Sequence, residues 1–222
     1  MGEFTKLQQE TLDFFAKSAI RDKFYWTGGT LLAVVYLRHR RSQDIDFFSD
    51  APFSHEEIIG FVNDLKQQLT LEFIEEKKIY DRWEFFLHNS DDMRLEFVHY
   101  DHPRLKPRAD WNGIKIDSLD DIAANKLMAM FDRNEPKDVF DVYFLLTKAG
   151  YSSQKLLELV AKKFGVHLDE SFIWSESFKC AKDLENLRPL MLENESEQAK
   201  VLEEIKAYFI NHSNKFLNRV LE

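Results

Sequence analysis

The stretch from Phe24 to Phe48 constrains this chain more than any other. A short aromatic segment, Phe24-Tyr25-Trp26, runs into Gly28-Gly29-Thr30 and then into an apolar run from Leu31 to Leu37. A basic cluster, Arg38-His39-Arg40-Arg41, leads on to Ser42 and to Asp44-Ile45-Asp46-Phe47-Phe48. An aromatic run bounded by glycines predicts a buried strand entering a tight turn. The paired glycines let the backbone approach something bulky and leave their amides unscreened by side chains. The apolar run predicts a buried helix whose N-terminus sits at that turn. Such an N-terminus presents N–H groups and a partial positive charge, which suits phosphate.

Asp44 and Asp46 form the second half of the stretch. In an extended segment, residues two apart share a face and lie roughly 7 Å apart at their Cα atoms. Ile45 then turns to the core. Two neighbouring carboxylates repel, and a cation offsets that cost. Hard divalent ions take carboxylate and phosphate oxygens while keeping several waters. A phosphate-cradling turn followed closely by a metal-binding acid pair describes a nucleoside triphosphate site. Each signal alone is common: Thr30 could be an ordinary N-cap, and Asp-x-Asp occurs in solvated loops. The reading rests on their conjunction, with Phe47-Phe48 anchoring the acid pair in the core.

Gly28-Gly29-Thr30, Leu37, His39-Arg40, Ser42 and Asp44-Ile45-Asp46-Phe47-Phe48 resemble the signature of the nucleotidyltransferase superfamily. More narrowly, they resemble the AbiEii/AbiGii-type abortive-infection toxins of bacteria and archaea. That pattern is a Gly-Gly-Ser/Thr turn, a helix, then His-Arg-x-Ser-x-Asp-Ile-Asp-Leu-Phe; Phe47 stands where leucine is usual. The same family carries Asn/x-Lys-Leu-x-Ala, then Arg, then Lys/Arg-Asp-x-x-Asp. This chain has Lys126-Leu127-Met128-Ala129, Arg133 and Lys137-Asp138-Val139-Phe140-Asp141. The resemblance spans residues 24–145 and fades beyond them.

The resemblance implies a magnesium- or manganese-dependent enzyme that moves a nucleoside monophosphate from a nucleoside triphosphate to an acceptor hydroxyl. It implies that Asp44 and Asp46 hold the metals with a third acid on an adjacent strand. Glu96, in Arg94-Leu95-Glu96-Phe97-Val98, is the nearest fit, because an unpaired acid among apolar residues is costly. A salt bridge to Arg94 is the plainer account of Glu96, and Asp101 is the fallback acid. Gly28, Gly29 and Thr30 would cradle the β- and γ-phosphates, with Arg40, Ser42, Lys126 and Asp141 completing the nucleotide site. Lys126 is a compact cation suited to triphosphate charge. Asp138, one helical face with Asp141, would be a catalytic or phosphate-organising acid; its plainer role is a helix-start charge behind Pro136. The implied acceptor is RNA such as the 3′ end of transfer RNA, and the implied partner a cognate antitoxin. A protein or small-molecule acceptor, and a non-catalytic nucleotide-binding role, are the alternatives.

Composition sets the remaining bounds. A chain of 222 residues holds one catalytic core with a helical appendage. With 44% hydrophobic residues and 20 phenylalanines it is a folded protein. The net charge of −9 speaks against a generally basic nucleic-acid-binding surface and leaves room for a local basic groove. Cys180 is the single cysteine, which excludes a disulfide within the chain and fits a reducing, cytoplasmic compartment. Charges through Met1 to Asp22 leave no signal-peptide core, and no apolar run reaches the roughly 20 residues of a membrane helix. Walker-A, His-Glu-x-x-His and Gly-x-Ser-x-Gly motifs are all absent.

The expected class is α+β, an α/β nucleotidyltransferase core with a mixed sheet over residues 1–117, followed by an all-helical region over 118–222 that completes the nucleotide site. Helices are predicted over Thr5 to Ile20 and from Ser54 to near Leu69, the second opened by a Ser54/Glu57 capping box. Leu71 to Ile79, Trp83 to His88 and Met93 to Tyr100 predict antiparallel strands joined by short turns. Residues 101–113, with Pro103 and Pro107 among Arg104, Lys106 and Arg108, predict a loop, and Ile114 to Ile116 a last short strand. Ser118 and Asp121 predict another helix start. Beyond Ser152 the predicted helices include Phe172 to Leu187 and Val201 to Val220, with Glu193, Glu195 and Glu197 as a solvated acidic turn.

Overall fold

The computed structural model describes residues 4–89, 91–133 and 135–221; Glu3, Ser90 of the expected turn and the Cys180 side chain lie outside them. The chain divides into two compact units, Met1–Leu119 and Asp120–Glu222.

The first unit is a mixed sheet of seven strands in the order β3-β4-β5-β2-β1-β7-β6. Its strands are β1 (Tyr25–Thr27), β2 (Asp44–Ser49), β3 (Phe73–Ile79), β4 (Arg82–His88), β5 (Asp92–His99), β6 (Ala109–Trp111) and β7 (Ile114–Ile116). β2 runs parallel to β5 and β1 parallel to β7, while the other neighbours are antiparallel. One face is apolar because Trp26, Ile45, Phe47, Phe85, Leu95 and Phe97 recur at every second position and are fully buried. Of the helices α1 (Lys6–Phe15), α2 (the single turn Gly28–Thr30) and α3 (His55–Leu69), the first and third meet that face: Phe15 stacks on Phe47 at 3.7 Å, and Phe61 lies 5.9 Å from Phe97. Each such ring contributes roughly 1.5–3 kcal/mol by leaving water. The opposite face carries Asp44, Asp46, Glu84, Arg94 and Glu96 beside the aromatic Tyr25 and Phe48.

Several boundaries differ from the sequence expectation for local reasons. α1 stops at Phe15 because the Ser18 hydroxyl donates to the Phe15 carbonyl and turns the chain, so Ile20 falls in a separate 3-10 turn, Ala19–Asp22. α3 has the predicted Ser54/Glu57 capping box and ends at Leu69. Residues 109–111, expected as loop, form β6, joined to β7 by an Asn112-Gly113 turn with φ of 50° and 84°. Asn-Gly at two positive φ values is the hairpin signal that the prolines upstream obscured.

The second unit is helical throughout: α4 (Leu119–Asp132, opening at the unit boundary), α5 (Pro136–Thr147), α6 (Ser153–Phe164), α7 (Glu170–Cys180) and α8 (Glu195–Leu221). Phe172 to Leu187 is not one helix, since α7 gives way to a 3-10 segment, Ala181–Leu190. Glu195 and Glu197 are the first turn of α8 rather than a solvated turn, with Asn194 Oδ1 accepting the Glu197 amide at 3.1 Å. Acidic groups belong there because they face the positive end of the helix. The buried Lys163 on α6 donates to Asp121 on α4 at 2.8 Å, so Asp121 carries an ion pair beyond its helix-start position. Among the described residues no helix is long and apolar enough to cross a membrane.

Candidate active site

The acid pair lies on β2 as the alternation requires, with Asp44 and Asp46 on the polar face and Ile45 buried between them. Phe47 is fully buried, whereas Phe48 shares the acids' face and packs against Tyr25 and Tyr100. The anchoring is therefore by Ile45 and Phe47, not by both phenylalanines. Parallel pairing of β2 with β5 sets Asp46 opposite Glu96 and Asp44 opposite Arg94. Antiparallel pairing of β4 with β5 sets Glu84 opposite Glu96. A row of three carboxylates, Asp46, Glu96 and Glu84, thus crosses three adjacent strands. Asp101, the fallback acid, is exposed beyond the end of β5.

Two arginines are set among these acids. Arg94 spans Asp44 (Nη2 to Oδ2, 2.7 Å) and Glu96 (Nη1 to Oε1, 3.0 Å), with Glu84 Oε1 at 3.8 Å. Arg82 lies 3.0 Å from Glu84 and 3.9 Å from Glu96. Glu84 and Glu96 are only 4% and 5% exposed. Burial, then the charge of Asp46, push the Glu96 carboxyl up to about 7, while Arg94 and Arg82 pull it down. Burial works against the charge on Arg94, but Asp44 and Glu96 outweigh it and hold the guanidinium protonated. Glu96 thus carries the salt bridge to Arg94 and also stands opposite Asp46 on the adjacent strand.

Gly28 sits where β1 enters a helical turn, Gly28–Thr30, that continues as a wider π-helical winding through Leu31–Tyr36. The bond from the Leu37 amide to the Leu32 carbonyl, 2.8 Å across five residues, marks that winding. Gly28 has φ of 80°, and a Cβ there would stand 1.8 Å from Asp46 Oδ2. Glycine is thus required twice over, by backbone conformation and by the carboxylate pressed against it. Thr30 is fully buried; its hydroxyl donates to the Asp44 carbonyl and lies 2.8 Å from the Ser42 hydroxyl. Gln8 of α1 donates to the Ser42 carbonyl at 2.8 Å. Thr30 and Ser42 tie the glycine turn to the acid strand, a bracing contact rather than an open cradle. Arg40 is likewise buried and donates to the Arg41 carbonyl at 2.9 Å.

In the helical unit, Lys126 of α4 donates to Asp138 at 3.2 Å and lies 2.8 Å from Asp141, both on α5. Arg133 adds two bonds to Asp138 at 2.7 and 3.0 Å. Both aspartates are fully buried. Burial alone would raise the Asp138 carboxyl, but Lys126 and Arg133 overcome it and hold it below its ordinary value. The sequence elements thus converge as one charge-balanced cluster.

The family model of the nucleotidyl transferase AbiEii toxin, type IV toxin–antitoxin system, matches residues 12–217. The chain belongs to this family. It is a nucleotidyltransferase. An uncharacterized protein of Aquifex aeolicus (strain VF5) is 31% identical over 168 residues, 74% of this chain and 77% of that protein. The fold is shared with the crystal structure of the JHP933 protein of Helicobacter pylori, at TM-score 0.56 and 20% identity over 98% of this chain and 96% of that one. It is shared equally with a second H. pylori structure carrying a provisional nucleotidyltransferase assignment, at TM-score 0.56 and 21% identity over 95% of each chain. Membership in a type IV toxin family implies a nucleoside triphosphate substrate and an antitoxin partner.

The acid face supplies the donors that a hard divalent cation takes: Asp44, Asp46 and Glu96 offer only oxygens, on one face of two hydrogen-bonded strands. Among the described residues no three acidic, histidine or cysteine side chains already converge as a metal cage. Arg94 bridges two of the three instead. Sequence reasoning missed Glu84, Arg82 and Gln8 as neighbours of the site. Glu84 and Arg82 were legible as polar residues alternating in an aromatic strand, but only pairing to β5 sets them beside Glu96.

Proposed function

We propose that this AbiEii-family enzyme is a magnesium-dependent nucleotidyltransferase that adds a nucleoside monophosphate to the 3′ end of an RNA such as transfer RNA. The observation that carries the metal assignment is the strand register that sets Glu96 opposite Asp46, with Asp44 on the same face. Asp44, Asp46 and Glu96 would hold the metal ions, which when bound supply charge neutralisation and a more acidic acceptor hydroxyl. The chain itself fixes the acids by the Ile45 and Phe47 anchors and by the Thr30–Asp44 bond. Gly28, lacking a Cβ, lets the Asp46 carboxylate pack directly against the turn. In the reaction the acceptor oxygen bonds to the α-phosphorus and the bond to the bridging oxygen breaks, releasing pyrophosphate.

The acceptor assignment draws on the resemblance and on the exposed Arg38 and Arg41 beside the acid strand, which suit a polynucleotide backbone. Arg108, a basic residue of the proline-punctuated segment, is engaged elsewhere: it stacks on Tyr25 and bonds Asp50 and Asp117. Lys126, Asp138 and Asp141 are proposed as a phosphate-binding group of the helical unit, with Lys126 leaving an aspartate for phosphate oxygen on binding.

Purified protein is incubated with magnesium, each of four α-labelled nucleoside triphosphates and total cellular RNA, beside an Asp44→Ala/Asp46→Ala variant. Label in the transfer-RNA band that the variant loses supports the proposal. Label in protein alone overturns the acceptor, and equal labelling by the variant overturns the acid assignment.

A further inference from the structure

Glu84 is the unexplained member of the acid face. It is buried beside Glu96, on the far side of β5 from Asp44 and Asp46, and a carboxylate placed there adds repulsion to an already negative site. Two arginines lie beside it, Arg82 at 3.0 Å and Arg94 at 3.8 Å. Arg94 is equally particular. It holds Asp44 and Glu96 at hydrogen-bond distance with its two terminal nitrogens, so its charge stands between two of the three acids assigned to metal. Its buried Nε, by contrast, has no partner. A guanidinium serving only as a strut is ordinarily satisfied at all its donors, and a buried exception calls for an explanation.

We propose that Arg94 is a displaceable counter-cation, holding Asp44 and Glu96 together in the metal-free enzyme and moving to Glu84 when divalent metal takes those two carboxylates. The inference rests on the metal assignment proposed above. The physical reasoning is charge conservation within a buried patch. Metal-free, the carboxylates require a positive partner or they drive one another apart. With metal present, a guanidinium left between the same oxygens becomes a like-charge competitor. Glu84 gives it a carboxylate one strand away, already within 3.8 Å, so the displaced charge stays paired without returning to water. Arg82, shared between Glu84 and Glu96, steadies Glu84 in both states. Arg94 is thus a positioning residue, and metal affinity is set partly by the strength of its bond to Asp44.

The test uses the full chain, stripped of metal with chelator, and manganese as the probe, its free concentration read by electron paramagnetic resonance. Arg94→Gln is expected to bind manganese about tenfold more tightly than the unaltered protein, because it removes a cation that competes for the same carboxylates. Glu84→Gln is expected to bind several-fold more weakly, and the double variant to match Arg94→Gln, because Glu84 acts only through Arg94. Melting in chelator supplies a second readout: Arg94→Gln melts lower than the unaltered protein, and manganese raises it by more. Unchanged or weaker manganese binding by Arg94→Gln overturns the inference while leaving the metal site standing. A Glu84→Gln loss that persists in the double variant makes Glu84 a direct ligand and also overturns it. If neither the unaltered protein nor Arg94→Gln binds manganese with a non-hydrolysable nucleoside triphosphate present, the metal assignment itself fails. Should Arg94→Gln not fold alone, the charge-neutral double variant retains the comparison with the unaltered protein.

Discussion

Two clusters of buried charge, one in each unit, are built on opposite principles. On the sheet, Arg82 and Arg94 are shared among three carboxylates, Asp44, Glu84 and Glu96, with Asp46 in the same row. In the helical unit, Lys126 and Arg133 match Asp138 and Asp141 charge for charge. In the first cluster, burial with like charge lifts Glu96 to about 7. In the second, Lys126 and Arg133 hold Asp138 below its ordinary value despite burial. Like charge dominates one and direct ion pairing the other. The second reaches a ligand only by breaking a bond it already has.

The sharpest way to break this comparison is by substitution in each cluster. Asp46→Asn should lower nucleotidyl transfer by on the order of 10³-fold, the scale of losing a main electrostatic contact in catalysis. It should also bring the Glu96 carboxyl down from about 7, read by titration of the metal-free protein. Lys126→Met should instead cost about 3–5 kcal/mol in denaturant unfolding by leaving Asp138 and Asp141 under-neutralised. If Lys126→Met folds with normal stability, Lys126 does not offset the burial of Asp138 and Asp141 and the contrast is wrong.

Gly28→Ala tests the close approach. A side chain at φ of 80° that also meets the Asp46 carboxylate should cost a few kcal/mol and most of the activity. Loss of activity with unchanged melting would show that the carboxylate yields more easily than the geometry suggests.

Titration sharpens the comparison further, since the clusters respond to pH with opposite sign. The raised carboxyl of Glu96 favours the folded state while protonated. That contribution is full below pH 4.5 and is lost as pH rises towards 7, by on the order of 3 kcal/mol in metal-free protein. Asp138, held low, contributes stability above its ordinary value of 3.8 that is lost as pH falls further. Melting curves in chelator from pH 3 to 8 should therefore show Glu96→Gln flattening the upper limb and Asp138→Asn the acid limb. Identical profiles for both variants would count against the distinction. The smallest effect expected is that of Thr30→Val, about 1 kcal/mol for a lost hydrogen bond, with a modest drop in transfer as β2 loosens.

Local signals in the sequence were enough for the parts of this protein that depend on near neighbours. Alternation along Asp44 to Phe48 gave the acid face, with Phe48 misassigned because aromatic character alone does not reveal which side of a strand is covered. Ser54 with Glu57 gave the start of α3, and the glycine turn gave the strand-to-helix junction. Helix ends were less legible, since a single bond from Ser18 to Phe15 or the change to 3-10 winding at Ala181 leaves no periodic trace.

What only the tertiary structure decided was which charges meet. Glu96 and Asp46 are 50 residues apart in the chain, and a shift of one residue between β2 and β5 would turn Glu96 to the other face. The same register brings Arg94 to Asp44, and the next pairing brings Glu84 to Glu96. Only the fold shows that Thr30 and Ser42, twelve residues apart, hydrogen-bond to each other. Motif spacing determines that a turn, two acids and a distant lysine are present, because those depend on backbone propensity and side-chain type. Their partners, and hence their charge states, depend on long-range pairing, which no local stretch of sequence contains.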